Sequence, residues 1–515
     1  MNLSNMAVFE DGDILDAVVI GTGAGGAPLL ASLAAAGRRV VALEAGENRD
    51  PEQFVGDEVG AADLYWRGER LSGGRTPEAF GMNNSGIGVG GSTLHWGAFT
   101  PRPDARDLRL RSEAGVGADW PLTLEELLPF IRRVEAEIGV SGPSPYPWDP
   151  DRRYPLPHVA INAPAQAMQR GCAALGIRTA VAPAAVATRA IEQAHGPRRE
   201  ACIGCGYCHQ GCRNGAKVSM DVTYLPLAVA MGAEIRPSCF VTGFERDTAG
   251  RITGVIYRRD GQERRQRCRA VVLCAGAIES PRLLLHGGLA NSSGQVGRNY
   301  MGHVATQVWG TFAPEMRCHR GYPSSLITED FVRPRDADFA AGYLIQSLGV
   351  VPMSFADQVS RGRKLWGRKL VDYLDGYNHV AGIGINGETL PHDDNRLTLS
   401  DEVDDSGLPK PLVTFSYHDN ETAMSAHAER VMTAVWEAAG ATDIWTFQRV
   451  AHTIGTCRMG HDPCASVVDA FGRSHDIDNL WICDNGVFPS ALAANPALTI
   501  MALSLRTAEA FLRNH

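Results

Sequence analysis

The feature that most constrains the fold is the glycine-rich segment G-T-G-A-G-G at residues 21–26. It follows the apolar run 16–20 and opens a stretch, 25–36, that is typical of a helix closed by Gly37. A second apolar run, 39–43, comes directly afterwards. Strand, helix and strand of this length form a minimal β–α–β unit. The sequence therefore predicts an α/β fold that begins with a Rossmann-type, parallel-sheet domain flanked by helices.

The spacing of the glycines indicates what this unit binds. Gly21 permits the tight turn, Gly23 lets the backbone approach a pyrophosphate, and Gly26 allows close packing of helix on strand. Gly25 lies in the same loop, at the helix N-terminus, where free N–H groups favour phosphate. Glu44 follows about twenty residues later and can accept from ribose hydroxyls. The motif predicts a dinucleotide cofactor but does not separate FAD from NAD.

A second motif is a run of four cysteines, Cys202, Cys205, Cys208 and Cys212. The C-x2-C-x2-C-x3-C spacing is that of ferredoxin-type ligands for an iron–sulfur cluster, and no second run accompanies it. We expect the first three thiolates to bind one cluster. Cys212 either completes a four-iron cluster or leaves a three-iron form.

Other interpretations of the cysteine run stay open. Structural zinc usually takes two cysteine pairs separated by a dozen or more residues, which this run lacks. Disulfides are disfavoured because the N-terminus lacks the basic and apolar regions of a secretion signal. Cysteines that are vestiges in a loop would carry no metal.

Composition excludes several classes of function. A net charge of −9 without a basic stripe argues against a nucleic-acid partner. No window approaches twenty uninterrupted apolar residues, so no membrane span is expected. Twelve cysteines without a secretion signal indicate a reducing compartment, and we expect a cytoplasmic protein.

Four further stretches, in order, identify the chain more closely. They are G-V-G-G-S-T-L-H-W-G-A-F-T-P at 88–101, A-V-V-L-C-A-G-A-I-E-S-P-R-L at 270–283, H-T-I-G-T-C-R-M-G at 452–460, and N-L-W-I-C-D-N-G-V-F-P-S-A-L-A-A-N-P-A-L-T-I at 479–500. Together they resemble the glucose–methanol–choline oxidoreductase family over most of the chain.

The resemblance implies two discontinuous domains. An FAD-binding domain would be assembled from residues 14–100, 200–300 and 450–515, with the cysteine loop at 202–212. A substrate-binding α+β domain built on an antiparallel sheet would comprise 101–199 and 301–449. Strand-like stretches at 305–312, 341–347, 380–385 and 413–417 favour that sheet.

The resemblance also assigns a catalytic pair. His452 falls where the family places its active-site histidine, and Asn495 falls where the family has a second histidine or an asparagine. A histidine, with an ordinary pKa of about 6.5, is suited to accept the hydroxyl proton of an alcohol at neutral pH. Asn495 would hold the substrate oxygen against the flavin, a positioning role. The flavin accepts the hydride.

Further cofactor contacts follow from the matching motifs. They are expected at Gly91, Ser92, His95, Trp96, Gly97, Val241, Ala275, Asp484 and Asn485. His95 resembles the position at which some members tether FAD covalently, and the alternative is a histidine packed on the flavin ring. Trp96 departs from the family, where many members have Asn. For His303 we expect a structural role.

The expected substrate is a small alcohol, carbohydrate-like, such as a sugar, a glycoside or an amino sugar. With a cluster present, electrons would pass to an acceptor protein or a quinone- or dye-like acceptor. Two alternatives stay open. One is an alcohol or pyranose oxidase that reduces oxygen to hydrogen peroxide and has a structural cysteine loop. The other is a non-catalytic flavoprotein electron carrier.

Overall fold

Two sheets of opposite character dominate the computed structural model, which describes residues 1–78, 85–335 and 337–514. The α-helices are α1 (Gly26–Ala35), α2 (Leu110–Ala114), α3 (Leu124–Ile138), α4 (Ala163–Ala174), α5 (Tyr224–Ala230), α6 (Gly276–Gly287), α7 (Pro352–Arg363), α8 (Arg368–Leu374), α9 (Asp419–Ala438) and α10 (Ala497–Asn514).

The strands are β1 (Ala17–Ile20), β2 (Val40–Leu43), β3 (Leu71–Gly73), β4 (Ser141–Gly142), β5 (Leu156–Pro157), β6 (Ala180–Val181), β7 (Glu234–Arg236), β8 (Phe240–Arg246), β9 (Ile252–Arg259), β10 (Gln262–Arg267), β11 (Val271–Leu273), β12 (Met301–Val304), β13 (Gln307–Thr311), β14 (Leu326–Thr328), β15 (Tyr343–Leu348), β16 (Val380–Gly387), β17 (Arg396–Val403), β18 (Pro409–Thr414), β19 (Thr442–Phe447), β20 (Val450–Ile454) and β21 (Leu480–Ile482).

The first sheet is parallel and has the order β21-β11-β1-β2-β7. Strands β1, β2, β11 and β21 are short, apolar and completely buried, as expected of a sheet covered on both faces. The edge strand β7 is also buried but carries two charged residues, Glu234 and Arg236. Because the strands are parallel, their carboxyl ends share one edge. Gly21, Glu44, Cys274 and Cys483 each follow a strand at that edge, where open α/β sheets bind ligands.

The second sheet is antiparallel and has the order β19-β13-β16-β15-β14-β6, with β12 paired to β16 and β20. Its apolar side packs against α4 and α9 around Met424, Met432 and Trp436. Strands β12 and β20 pair so that His303 lies opposite Ala451, which brings the start of the H-T-I-G motif to this sheet.

The predicted fold class is confirmed, with one strand placed wrongly. The stretch 413–417 was expected in the large antiparallel sheet. The strand instead covers Pro409–Thr414 and belongs to a separate three-stranded sheet, β17-β18-β3. Strand pairing decided this, because an isolated alternating stretch does not specify its partner.

Within the part of the chain that the structure describes, no helix has both the length and the apolar character needed to cross a membrane. The domain boundaries at 100, 200, 300 and 450 stay a prediction.

The start of α1 lies unusually close to the ends of two strands. A Cβ atom on Gly25 would lie 1.9 Å from the carbonyl oxygen of Cys483, and one on Gly26 would lie 2.0 Å from that of Gly21. Only glycine permits this packing, because both obstructing atoms belong to the backbone.

We expect Gly25→Ala to lower the free energy of unfolding by about 3 kcal/mol or more, because backbone atoms of a buried sheet cannot move aside. Urea unfolding followed by circular dichroism measures this. Gly243→Ala is the matched control, since its added Cβ would meet only the Ile256 side chain at 3.9 Å. Equal stability of the two variants would contradict the prediction.

Candidate active site

One cavity of about 410 Å³ extends from the carboxyl edge of the parallel sheet to the antiparallel sheet. Gly21, Gly23 and Glu44 line its first end, and His452 and Asn495 line its other end. A buried, mostly apolar cleft with a few polar groups at defined points is typical of a cofactor site.

The glycine loop fits a pyrophosphate group. A Cβ on Gly23 would meet only the Cα of Gly91, at 3.7 Å, so this position faces open space in the cavity. The N-terminus of α1 follows directly and offers unpaired N–H groups. Of the four predicted glycines in this loop, Gly26 alone does not line the cavity; it packs against Gly21, as its predicted packing role requires.

Glu44 has a structural task besides its place in the cavity wall. One carboxylate oxygen accepts from the Thr22 amide at 3.1 Å and the Thr22 hydroxyl at 2.8 Å. The other accepts from the amides of Gly46 at 3.0 Å and Gly88 at 3.2 Å. Burial raises the pKa of Glu44, and these hydrogen bonds oppose that rise. Its contact with a ribose stays a prediction.

Asp484 organises the neighbouring corner of the cavity. It accepts from the Gly276 amide at 2.8 Å, the Ser280 hydroxyl at 2.6 Å and the Gly486 amide at 2.7 Å. Asn485 accepts from the Ala277 amide at 3.2 Å. The remaining predicted contacts that line the cavity are Gly25, Gly91, Ser92, His95, Trp96, Gly97, Val241 and Ala275.

His95 is buried in the loop that borders the centre of the cavity. Burial, with the charge of Lys217, lowers the pKa of His95 to about 3, so its ring is neutral. Its Nε2 atom has no hydrogen-bond partner among the residues described. This leaves a neutral ring nitrogen free beside the cavity. Covalent attachment of FAD to His95 and packing of His95 on the flavin ring both stay predictions.

The predicted catalytic pair meets at the far end of the cavity. His452 lies on β20 with φ of +63°, a conformation that residues other than glycine rarely adopt. Its Nε2 atom lies 3.5 Å from Nδ2 of Asn495. The Oδ1 atom of Asn495 accepts from Nδ2 of Asn386 at 3.1 Å. Strand β20 and the segment just before α10 are distant in sequence, and together they hold the imidazole of His452 beside the amide of Asn495.

Burial lowers the pKa of His452 well below its usual 6.5, and the neighbouring His303 and Arg449 lower it further. The imidazole is therefore neutral at physiological pH and able to accept a proton. His303, expected to be structural, lies next to it, with 2.9 Å between the two Nδ1 atoms.

The cysteine loop lies against the same cavity. Gly206, His209 and Gln210, which alternate with its cysteines, line the wall. Cys208 is buried and Cys205 is exposed, while Cys202 and Cys212 are half-buried. Burial raises the pKa of Cys208, and the other three thiols raise it further while Lys217 lowers it. The four thiols are thus near enough to influence one another.

The sulfur atoms are spaced too widely to bind one ion together. Among the residues described, the one group of three metal-type ligand atoms within 4.8 Å of one another is His392, Asp394 and His418, not the cysteines. The two imidazoles of that group stack with ring centroids 3.8 Å apart. Zinc, at about 2.3 Å from each sulfur, would require a tighter cysteine group.

Lys217 joins the cysteine loop to the loop 91–97, here called the cofactor loop because several FAD contacts are predicted in it. Its ammonium donates to the carbonyls of Thr93 at 3.2 Å, Leu94 at 2.7 Å and Trp96 at 3.2 Å. Its backbone amide donates to Sγ of Cys212 at 3.3 Å. Burial lowers the pKa of Lys217 to about 8. A buried ammonium with all three donors engaged holds the two loops in one arrangement.

His209 strengthens the same connection, since its Nδ1 atom lies 2.9 Å from the His95 carbonyl oxygen. The sequence patterns indicate neither His209 nor Lys217 as a site residue. Lys217 could have been suspected from the G-A-K that ends the cysteine run. Asn386 and Arg449, which also line the cavity, carry no comparable motif.

Comparison with known proteins agrees with this geometry. The family pattern described as GMC oxidoreductase matches residues 16–305, and its C-terminal part matches residues 391–504. The chain belongs to the GMC oxidoreductase family. The predicted resemblance is thus confirmed, and the protein is an FAD-dependent oxidoreductase acting on alcohol groups. A non-catalytic electron carrier is thereby disfavoured.

Individual relatives match over almost their whole length. The chain is 31% identical to the fructose dehydrogenase large subunit of Gluconobacter japonicus, covering 97% of this chain and 98% of that protein. It is 29% identical to paromamine 6'-oxidase of Streptomyces fradiae, covering 97% and 92%. A formate oxidase structure from Aspergillus oryzae, studied for its FAD modification, shares the fold with a TM-score of 0.73 at 15% identity, covering 98% and 99%.

We expect Gly23→Ala to fold normally but to lose FAD affinity by at least about tenfold, roughly 1.4 kcal/mol. The added methyl meets no protein atom closer than 3.7 Å, yet it occupies space at the predicted pyrophosphate position. Flavin content after purification and thermal unfolding of the apoprotein measure the two effects. Gly243→Ala again serves as control, and full flavin occupancy in Gly23→Ala would refute the assignment.

Proposed function

We propose that the protein oxidises a hydroxyl group of a neutral, carbohydrate-like small molecule to the carbonyl, with His452 as the base. FAD, when bound along the cavity, supplies the hydride acceptor. Glycine-loop residues 21–25 would hold its pyrophosphate, and the loop 91–97 would lie along its ring system. Asn495 would position the substrate oxygen.

The observation that carries this proposal is the neutral imidazole of His452 beside the amide of Asn495. A substrate hydroxyl between them donates its proton toward Nε2 of His452 and accepts a hydrogen bond from Nδ2 of Asn495. Removing the hydroxyl proton weakens the adjacent C–H bond toward hydride loss, and the amide keeps the oxygen in place. The proton thus moves to a named nitrogen of the chain.

The lining of the cavity supports a polyhydroxylated substrate. Beyond the catalytic pair, its polar residues include the amide side chains of Gln307, Gln346, Gln358 and Asn386. An amide both donates and accepts, which suits hydroxyl groups because they do the same. Two relatives, the fructose dehydrogenase large subunit and paromamine 6'-oxidase, agree with a carbohydrate-like substrate.

The charges in the cavity favour a neutral sugar over an amino sugar. The acidic residues that line the described part of the cavity are Glu44, Glu279 and Asp484. Glu44 and Asp484 follow strands β2 and β21 of the parallel sheet, and Glu279 lies in α6, which follows β11. At the His452 end, the guanidinium of Arg449 lines the wall instead. A cationic amine would therefore find a like charge there and no carboxylate among the residues described.

We propose that the electrons leave the flavin through an iron–sulfur cluster. The cluster would be bound by Cys202, Cys205 and Cys208, with Cys212 as a fourth ligand in a four-iron form. Each thiolate of such a cluster binds a different iron, so wider sulfur spacing suits a cluster better than a single ion. The loop also borders the cavity through His209 and is joined to the cofactor loop by Lys217. An acceptor protein or a quinone-like acceptor would then take the electrons.

We expect His452→Asn to slow anaerobic flavin reduction by a panel of sugars and polyols by about 10²–10⁴-fold. Asparagine keeps polarity and a hydrogen-bonding group but cannot take up the proton. Stopped-flow absorbance of the flavin band measures the rate. His286→Asn, at an exposed position of α6, is the control. A normal rate in His452→Asn would rule out this residue as the base.

We expect protein purified without oxygen to contain iron and acid-labile sulfide in the ratio of a three- or four-iron cluster. Cys208→Ser should lose the iron yet keep flavin reduction by substrate, because the cysteine loop lies outside the catalytic pair. Cys464→Ser, an exposed thiol outside the run, should keep both. Absence of iron together with hydrogen peroxide formation would instead identify an oxygen-using oxidase.

A further inference from the structure

We propose that His303 is a positioning residue that holds His452 in the tautomer whose Nε2 atom carries no proton. This inference rests on the proposed function of His452 as the base. It assigns a role to a histidine that has no place in the substrate or cofactor contacts, and it follows from a chain of hydrogen bonds that ends at a backbone carbonyl.

The series of hydrogen bonds begins at Leu492. Its carbonyl oxygen lies 2.9 Å from Nε2 of His303. A carbonyl oxygen can only accept, so the proton of His303 is on Nε2. His303 is fully buried, and burial lowers its pKa to about 4, so the ring holds one proton and no more. Its Nδ1 atom is therefore an acceptor.

The second link joins the two histidines. Nδ1 of His303 lies 2.9 Å from Nδ1 of His452, and the rings meet edge to face with centroids 4.9 Å apart and planes at 83°. Two bare nitrogens would repel each other at this distance, so Nδ1 of His452 carries the hydrogen that is shared. Since His452 is neutral, its Nε2 atom has a free lone pair.

The hydrogen bonds of Asn386 and Asn495 agree with this assignment of the His452 tautomer. Asn386 donates to Oδ1 of Asn495 at 3.1 Å, which turns Nδ2 of Asn495 toward His452, 3.5 Å from Nε2. An amide N–H group beside a bare imidazole nitrogen is favourable, whereas it would repel an Nε2–H group. The cavity therefore presents an acceptor and a donor side by side, as one hydroxyl group requires.

The carbonyl that starts the chain is itself held in place. Leu492 has φ of +65°, and its amide donates to a carboxylate oxygen of Glu388 at 3.2 Å. Glu388 pairs with Arg333 at 3.0 Å, and Arg333 pairs with Asp107 at 2.6 Å. A buried ion-pair group thus fixes the Leu492 peptide, so the carbonyl cannot easily turn away from His303.

Other polar and charged groups around the two rings do not supply a competing partner for Nδ1 of His452. Arg449, on the turn before β20, acts on His452 through its charge. The Tyr417 hydroxyl donates to the His303 carbonyl at 3.3 Å, not to its ring. Among the described residues, His303 is the hydrogen-bond partner of Nδ1 of His452.

The test compares His303→Leu with His303→Asn. Leucine removes both ring nitrogens, whereas the Oδ1 atom of asparagine can replace Nδ1 as the acceptor for His452. We expect His303→Leu to slow flavin reduction by about 100-fold, with KM changed much less than kcat, because the wrong tautomer lacks the base. His303→Asn should recover most of that loss. Flavin content and thermal unfolding provide the control for packing.

The decisive measurement is the tautomer itself. Protein labelled with ¹⁵N-histidine gives two-bond ¹⁵N–¹H NMR patterns that distinguish the Nδ1–H and Nε2–H forms. The signals that disappear in His452→Asn are those of His452. We expect the Nδ1–H form in the wild type and the Nε2–H form or a mixture in His303→Leu. If His303→Leu does not fold, the wild-type spectrum still decides.

The failures of the two proposals are distinguishable. An Nε2–H pattern for His452 in the wild type, or an unchanged pattern in His303→Leu, overturns the role of His303 whatever the kinetics show. If instead the tautomer is as expected but His452→Asn reduces flavin at the normal rate, His452 is not the base, and the proposed function fails.

Discussion

The close approach of α1 to the carboxyl ends of β1 and β21 is the contact on which the rest of the site depends. Cβ atoms at Gly25 and Gly26 would each lie within about 2 Å of a backbone carbonyl oxygen, so helix and sheet meet with no side chain between them. This leaves the helix N-terminus at the sheet edge, where Glu44 and Asp484 also organise their loops. At the glycine loop, residues without side chains therefore line this end of the cavity.

The substrate end is built by different means. Pairing of β12 with β20 places His303 against His452, and the end of β16 supplies Asn386 next to Asn495. Here, buried side chains define the geometry through hydrogen bonds of fixed direction, so the arrangement depends on which nitrogen of each ring carries a proton. A rigid antiparallel sheet is well suited to hold such directions.

The loops between these two ends of the cavity also help to fix the geometry of the site. Lys217 engages three carbonyls of the loop 93–96 while its own amide contacts Cys212, and His209 contacts the carbonyl of His95. The cysteine loop and the loop 93–96 are therefore joined by several hydrogen bonds. Burying an ammonium is costly unless all its donors are engaged, which explains this arrangement.

The sequence by itself determined the β–α–β unit, the fold class and the family, because these depend on local motifs and their spacing. Through the family resemblance it also predicted His452 and Asn495 as a catalytic pair, and the two side chains lie together at the cavity. It placed the strand at 413–417 in the wrong sheet and did not identify Lys217 or Asn386. Only the tertiary structure decided that His303 meets His452, 149 residues away. Periodicity and motifs encode local backbone shape, whereas contacts across that distance arise from strand pairing and burial, which no short pattern contains.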